Sequence, residues 1–173
     1  MKYFILLAGI FSIISCKSYQ IVKTSSSHKT ELLALGYSKK TLAYKNFETA
    51  TTSVLKNKVR IGISKIPFTK TTFKKYKQQL EAVGKKEMLV YIDSIKTKPV
   101  YLNIELLDKV AFIEELHKEH NTKLMQYLKQ TEGIELVTRT KVVVAKKDLE
   151  LINKSDDFYL ITDTNKKTLV GCY

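Results

Sequence analysis

The chain has 173 residues and a net charge of +13 at pH 7, with 44% hydrophobic and 27% charged residues. This hydrophobic content excludes an intrinsically disordered protein, because disordered chains bury too little apolar surface to fold. The length suits one hydrophobic core, so we expect a single folded domain.

The N-terminal segment has the layout of an export signal. Lys2 supplies a positive charge, residues 3–14 form an almost wholly apolar run, and Ser15 precedes Cys16. A membrane-spanning helix needs about 20 apolar residues, so this run is too short to span a bilayer. The pattern therefore predicts a cleaved signal peptide over residues 1–15.

The residues around the predicted cleavage site carry a family resemblance. Ile13-Ile14-Ser15-Cys16 resembles the lipobox of bacterial lipoproteins, and Ser15-Cys16-Lys17 is similar to the boxes of Bacteroidota lipoproteins. The resemblance implies acyl chains on Cys16 that anchor the protein to an envelope membrane outside the cytoplasm, with the outer membrane favoured. An ordinary secretory peptide with an incidental cysteine is the alternative. Once Cys16 is acylated only Cys172 remains, so we expect no intrachain disulfide.

Residues 16–30 are predicted to be the lipidated cysteine and a flexible tether, because they are polar and include three consecutive serines. A short strand around residues 19–22 is compatible with the same pattern. Residues 31–173 are predicted to form the domain. Within it, residues 31–58 show no clear periodicity, so we make no assignment there.

The first clear periodicities begin at Val59. Alternating apolar residues from Val59 to Ile63 predict a half-buried strand that Pro67 ends. A helix is predicted over residues 71–83, with a threonine as its N-cap and Gly84 just beyond its end. Its core-facing residues follow one another at spacings of three and four: Phe73, Tyr76, Leu80 and Val83.

The middle of the chain predicts a hairpin and two helices. Residues 88–95 and 99–107 read as two strands joined by a short connection. Asp108 is predicted to cap a helix, and a break at Asn121-Thr122 separates it from a second helix that ends at Gly133. The first helix is expected to turn one side to the core: Val110, Ile113, Leu116 and His117.

The C-terminal part returns to strands. Residues 134–145 are rich in β-branched side chains, residues 146–153 predict one or two helical turns, and residues 158–162 pair with residues 169–173. Hairpins rather than regular strand–helix–strand units favour an α+β domain. We expect a mainly antiparallel sheet with two to four helices packed on one face, and no prediction of strand order follows.

Few residues suggest chemistry. Glu114, His117 and His120 lie three apart on one helix face and could ligate a metal, but half-buried packing or solvent exposure is the simpler interpretation. Cys172 could act as a nucleophile with His117 or His120 as its base, although packing is its default role. We expect no catalytic residue, no metal and no cofactor. An enzyme that uses His117, His120 or Cys172 is the alternative.

The basic residues are segregated along the chain. Residues 17–86 contain 16 basic and 3 acidic side chains, whereas residues 87–173 contain 13 and 14. Lys70, Lys74 and Lys77 share one helical stripe, which predicts contact with anionic lipid or polysaccharide at a membrane surface. A solvated face without a partner is the alternative. Nucleic acid is not expected, because the chain is exported and has only two arginines for base contacts.

The folded part is therefore predicted to be a non-catalytic binding or structural module of an envelope lipoprotein. Its protein partners are not predicted. An adhesion or assembly subunit is a further alternative, and a large exposed apolar patch would favour it.

Overall fold

The structure, a computed structural model, describes residues 16–19, 31–40, 45–82, 84, 89–94, 97–163 and 166–172. Within these residues the chain forms nine strands and four helices. The strands are β1 (Cys16–Tyr19), β2 (Ala34–Lys40), β3 (Lys45–Thr52), β4 (Val59–Pro67), β5 (Val100–Leu106), β6 (Glu135–Leu136), β7 (Arg139–Val142), β8 (Asp157–Asp163) and β9 (Lys166–Cys172). The helices are α1 (Lys70–Ala82), α2 (Lys109–Leu116), α3 (Thr122–Gln130) and α4 (Lys146–Ile152), with a 3-10 turn at Glu119–Asn121.

The strands form two sheets. The larger has the order β1-β9-β8-β4-β5-β7 and the smaller the order β3-β2-β6. Neighbouring strands among the described residues pair antiparallel in both sheets. The predicted α+β class with a mainly antiparallel sheet is confirmed.

One cluster of buried side chains joins the large sheet to the helices. Alternate residues of β4 and β5 are buried because successive side chains of a strand point to opposite faces. Phe112 of α2 and Ile152 of α4 belong to the same cluster. The contributions of the two strands are Val59, Ile61, Leu102, Ile104 and Leu106. The predicted strand that begins at Val59 and ends at Pro67 is thus confirmed.

Helix α1 is confirmed together with both of its ends. The hydroxyl of Thr69 accepts the backbone N–H of Thr72 at 3.1 Å, and the hydroxyl of Thr72 accepts the N–H of Thr69 at 2.8 Å. These reciprocal bonds satisfy donors that the first helical turn leaves unpaired. Gly84 has a φ of +66°, the left-handed conformation that glycine adopts without strain just past a helix. The inward side chain expected at Val83 lies outside the described residues.

Strands β2 and β3 of the smaller sheet lie within residues 31–58, for which no prediction was made. Strand β2 shifts its register against β3 between Leu35 and Gly36. A side chain at Gly36 would overlap the carbonyl oxygen of Glu48, so only glycine fits there.

The prediction that residues 88–95 form a hairpin with the following strand is wrong. The described part of this segment, residues 89–94, has no strand structure. Strand β5 pairs with β4 on one edge and with β7 on the other, so neither edge is left for it.

The predicted core face of α2 is wrong for Val110, Ile113 and His117, whereas Leu116 packs against the core as predicted. Asp108 caps the helix as expected, because its carboxylate accepts the N–H of Ala111 at 2.9 Å. However, Val110 and Ile113 are 68% and 53% exposed, and the buried residues of the helix are Phe112 and Glu115. As predicted, α2 and α3 are separate helices, α4 forms within residues 146–153, and β8 pairs with β9. Residues 134–145 hold two short strands, β6 and β7.

The first described residues belong to the large sheet. Residues 16–19 form β1 beside β9, where a flexible tether was predicted, and residues 20–30 lie outside the described residues. Strands β9 and β4 run in the same direction because each is antiparallel to β8 between them. The register leads from Lys17 through Gly171 and Phe158 to Ile61, so Cys16 lies level with Gly62, five residues before β4 ends at Pro67.

Candidate functional site

The lysine stripe predicted on α1 is present in the structure. Lys70, Lys74 and Lys77 are exposed, whereas Phe73 is half-buried and Leu80 is buried on the inner side. The helix carries four lysines in all and one acid near its end. We call the exposed flank formed by Lys70, Lys74 and Lys77 the lysine flank.

An aromatic cluster holds α1 against the sheet. Phe68, which is buried just after β4, has its ring centroid 5.3 Å from that of Phe73 and 5.4 Å from that of Tyr76. Tyr101 of β5 stacks on Phe68 at 5.0 Å. Aromatic pairs at these separations add to the stability of simple burial, so the position of the helix is well fixed.

The segment of residues 89–94 lies against the same helix. The ring of Tyr91 packs on Phe73 at 5.2 Å, with the exposed Val90 and Ile92 on either side of it in the chain. They are 79% and 50% exposed, which is unusual for large aliphatic residues. Sequence reasoning missed this surface because the segment was assigned to a strand.

An ion pair attaches this segment to the rest of the domain. The ammonium of Lys98 lies 3.0 Å from the carboxylate of Asp93, and the hydroxyl of Tyr91 donates to the same carboxylate at 3.2 Å. The Lys98 hydrogen bond is the main cause that lowers the pKa of Asp93, and the nearby charge of Lys70 lowers it further. Asp93 is thus ionised and compensated beside the lysine flank.

Both arginines are engaged across strands. Arg60 of β4 lies 2.6 Å from the carboxylate of Asp157, and Arg139 of β7 lies 2.6 Å from that of Glu105. The exposed cationic surface of α1 is therefore built from lysine.

A second polar cluster lies where α2 meets the loop between β3 and β4. The carboxylate of Glu115 is buried and accepts the backbone N–H groups of Lys56 at 2.8 Å and Asn57 at 3.1 Å. It also accepts the side-chain amide of Asn57. Burial would raise the pKa of Glu115, but these bonds and His120 together hold it below its usual value.

Asn121 completes this cluster. Its side-chain amide donates to the carbonyls of Val54 at 2.9 Å and Glu115 at 2.8 Å, and its side-chain oxygen accepts the N–H of Val54 at 3.1 Å. All three polar positions of the amide are thus used for structure.

The residues of the metal hypothesis do not converge. Glu114 and His117 are exposed, and Nδ1 of His117 lies 2.8 Å from the carbonyl oxygen of Ile113 in its own helix. His120 turns to Glu115 instead, with Nε2 3.5 Å from the carboxylate. Among the described residues no group of three or more His, Cys, Asp or Glu side chains could hold a metal ion.

A shallow, open depression lies next to His120. It is lined by Lys56, Lys118, Glu119 and His120. The lining holds no serine, threonine or cysteine, and the buried Glu115 beside it is saturated by hydrogen bonds.

Cys172 is not a nucleophile in the disulfide form that the structure shows. Cys172 is buried and disulfide-bonded, and Cys16, the only other cysteine in the sequence, lies directly opposite it in the register of β1 and β9. A disulfide sulfur cannot act as a thiolate. The expectation of no intrachain disulfide, which followed from acylation of Cys16, does not hold for this form of the protein.

The described helices are all too short or too polar to cross a bilayer. Comparison with protein-family models, with curated proteins and with solved structures finds no match to this chain.

Proposed function

We propose that this protein is a non-catalytic envelope lipoprotein, anchored through lipid on Cys16 and oriented by the lysine flank against an anionic surface. The observation that carries the proposal is the exposure of Lys70, Lys74 and Lys77 on one flank of a helix whose apolar side is fixed by aromatic packing. Each basic side chain near an anionic membrane contributes about 1 kcal/mol.

The position of β1 supports the link between anchor and flank. Strands β1 and β4 are three strand spacings apart, roughly 14 Å, and β4 runs roughly 17 Å past the level of Cys16 before it ends at Pro67. Lipid at Cys16 would hold β1 near a membrane. The acyl chains would supply the attachment, so the lysines would set orientation.

The disulfide places a condition on this proposal. A thioether to lipid and a disulfide both require the sulfur of Cys16, so one molecule cannot carry both. The anchored protein must therefore contain Cys172 as a buried thiol, and lipidation must precede or exclude its oxidation.

The proposal is tested with the domain alone, residues 16–173 carrying Cys16→Ser, under reducing conditions. It should sediment with vesicles that contain acidic phospholipid at low ionic strength and bind more weakly in about 0.3 M salt, because salt shortens the range of the attraction. Changing the lysine flank to K70E, K74E and K77E should weaken binding about tenfold or more.

A matched control changes the total charge by the same amount elsewhere. It uses three exposed lysines of α2, α3 and the turn between them, Lys109, Lys118 and Lys123, as K109E, K118E and K123E. This variant should keep most of the binding. Equal losses in both triple variants, or binding that ignores salt, would refute a specific role for α1.

A specific observation also favours an adhesion or assembly subunit. Leu107, Val110 and Ile113 are exposed within seven residues of one another at the start of α2. Exposed aliphatic groups of this kind are typical of protein–protein contacts. Light scattering of the purified domain, with and without V110S and I113S, tests this function: self-association that the double variant abolishes supports it, and a monomer at high concentration opposes it.

A further inference from the structure

We infer that Val90 and Ile92 enter the apolar layer of an anionic bilayer that the lysine flank contacts. This inference rests on the proposed function and narrows its partner. It commits to a lipid bilayer rather than a soluble polyanion such as a polysaccharide.

The first argument is exposure. Val90 and Ile92 are 79% and 50% exposed, while Tyr91 between them packs on Phe73. The segment therefore exposes two apolar side chains, one on either side of a tyrosine that packs on α1.

The second argument is position. Phe73 lies between the lysine flank and the buried side of α1, and the segment reaches the helix through Phe73. Lys70 and Lys77 lie three residues before and four residues after Phe73, so they are its neighbours on the surface of α1. The segment that packs on Phe73 therefore lies beside the lysine flank.

The third argument is charge complementarity. Asp93, the acid within the segment, is paired with Lys98, so the surface retains the positive charge of α1. Cations beside exposed aliphatic groups match a membrane interface, where phosphates lie above acyl chains. A polysaccharide would engage the lysines and leave the aliphatic groups in water.

The chain has no tryptophan, which makes a single introduced Trp a specific reporter. The experiment uses the full chain with Ile92→Trp, reconstituted in vesicles of zwitterionic lipid or of the same lipid with acidic phospholipid. The emission of I92W should shift to the blue and be quenched by brominated acyl chains in the acidic vesicles, and shift less than half as much in the zwitterionic ones. The matched control is Ile113→Trp, at a position of similar exposure on α2, and its emission should not change.

The outcomes separate the inference from the proposed function. If the protein floats with the vesicles but the emission of I92W does not shift, the inference is overturned and the anchoring is not. Equal shifts of I92W and I113W would also overturn the inference, because the membrane contact would then not be specific to this face. An equal shift of I92W caused by heparin in the absence of vesicles would overturn it as well. Failure to float overturns the anchoring, and the inference with it. A second variant, V90S with I92S, should retain the melting temperature. Combined with the reporter Leu89→Trp, it should lower the quenching of the reporter's emission at least threefold.

Discussion

The carboxylate of Glu115 accepts the backbone N–H of Lys56 at 2.8 Å, across 59 residues of sequence. Helix α2 thereby supplies a hydrogen-bond partner to the loop between β3 and β4, which belongs to no strand. The adjoining Leu55 is fixed from the other side, because its N–H donates to the hydroxyl of Thr162 at 2.9 Å and its carbonyl accepts the N–H of Thr162 at 2.8 Å.

Glu115→Ala should destabilise the domain strongly. The substitution leaves the part-buried N–H groups of Lys56 and Asn57 without their acceptor, and hydrogen bonds to a charged group are costly to lose. We expect the free energy of unfolding to fall by about 2–4 kcal/mol. Urea unfolding followed by circular dichroism measures this. The neighbouring Glu114→Ala, at an exposed position, should change it by less than about 0.5 kcal/mol.

The carboxylate of Glu115 should make the free energy of unfolding depend on pH in the acid range. Because the folded state lowers the pKa of Glu115, the unfolded state binds its proton first as pH falls. The stabilisation is therefore fully present above the unfolded pKa of about 4.3 and is lost as pH falls through the lower folded value. Unfolding curves between about pH 6 and pH 3 should show this loss in the wild type. In Glu115→Gln the loss should be smaller, and an identical slope in both proteins would contradict the assignment.

The elements that sequence predicted well are those with local signals. Helix α1 has its apolar spacing, a threonine cap and Gly84 within one short stretch, and β4 has alternation and a terminating proline. The segment around Tyr91 is a continuous apolar run that also predicts a strand, yet its partner is Phe73 rather than a strand. Pairing depends on which edges of β5 are already occupied, and that information lies in distant residues.

The face of α2 was predicted wrongly for a related reason. A sequence pattern predicts that a glutamate is exposed, since a buried carboxylate needs several hydrogen-bond donors. Those donors are the N–H groups of Lys56 and Asn57, which no spacing in α2 could reveal. Once Glu115 and Phe112 turn inward, Val110 and Ile113 are left outside. The lysine flank was predictable because it needed only the helical period of α1.

Gly36→Ala should disrupt the smaller sheet. The new methyl group would overlap the carbonyl oxygen of Glu48 on β3, a backbone atom that cannot move without separating the strands. We expect a loss of about 3 kcal/mol in the free energy of unfolding. Gly62→Ala in β4 is the control, because its methyl group would meet side-chain atoms of Leu107 at 3.3 Å, and that exposed side chain can shift. Similar losses in the two variants would show that the close approach at Gly36 is unimportant.

The pair formed by Cys16 and Cys172 gives the last prediction, which concerns processing. In a bacterial host that lipidates exported proteins, Cys16→Ser should abolish labelling by a fatty-acid analogue and release the protein from membranes or leave it as the precursor. Cys172→Ser should keep the label, because its sulfur takes no part in the thioether. Unchanged mass and membrane association of the C16S variant would refute lipidation.

The unlipidated domain supplies the complementary measurement. Residues 16–173 exported without acylation should form the disulfide, since the two cysteines face each other on adjacent strands. Intact mass should then be lower by two hydrogen atoms than after reduction, and C172S should show no such difference. Reduction should lower the unfolding free energy by about 2–5 kcal/mol, because the bond closes almost the whole chain into one loop. We expect the wild-type lipidated protein to have a thiol at Cys172 that reacts only after unfolding. That result would show that the sulfur of Cys16 carries either the lipid or the disulfide. It would also show that lipidation occurs before folding buries Cys172.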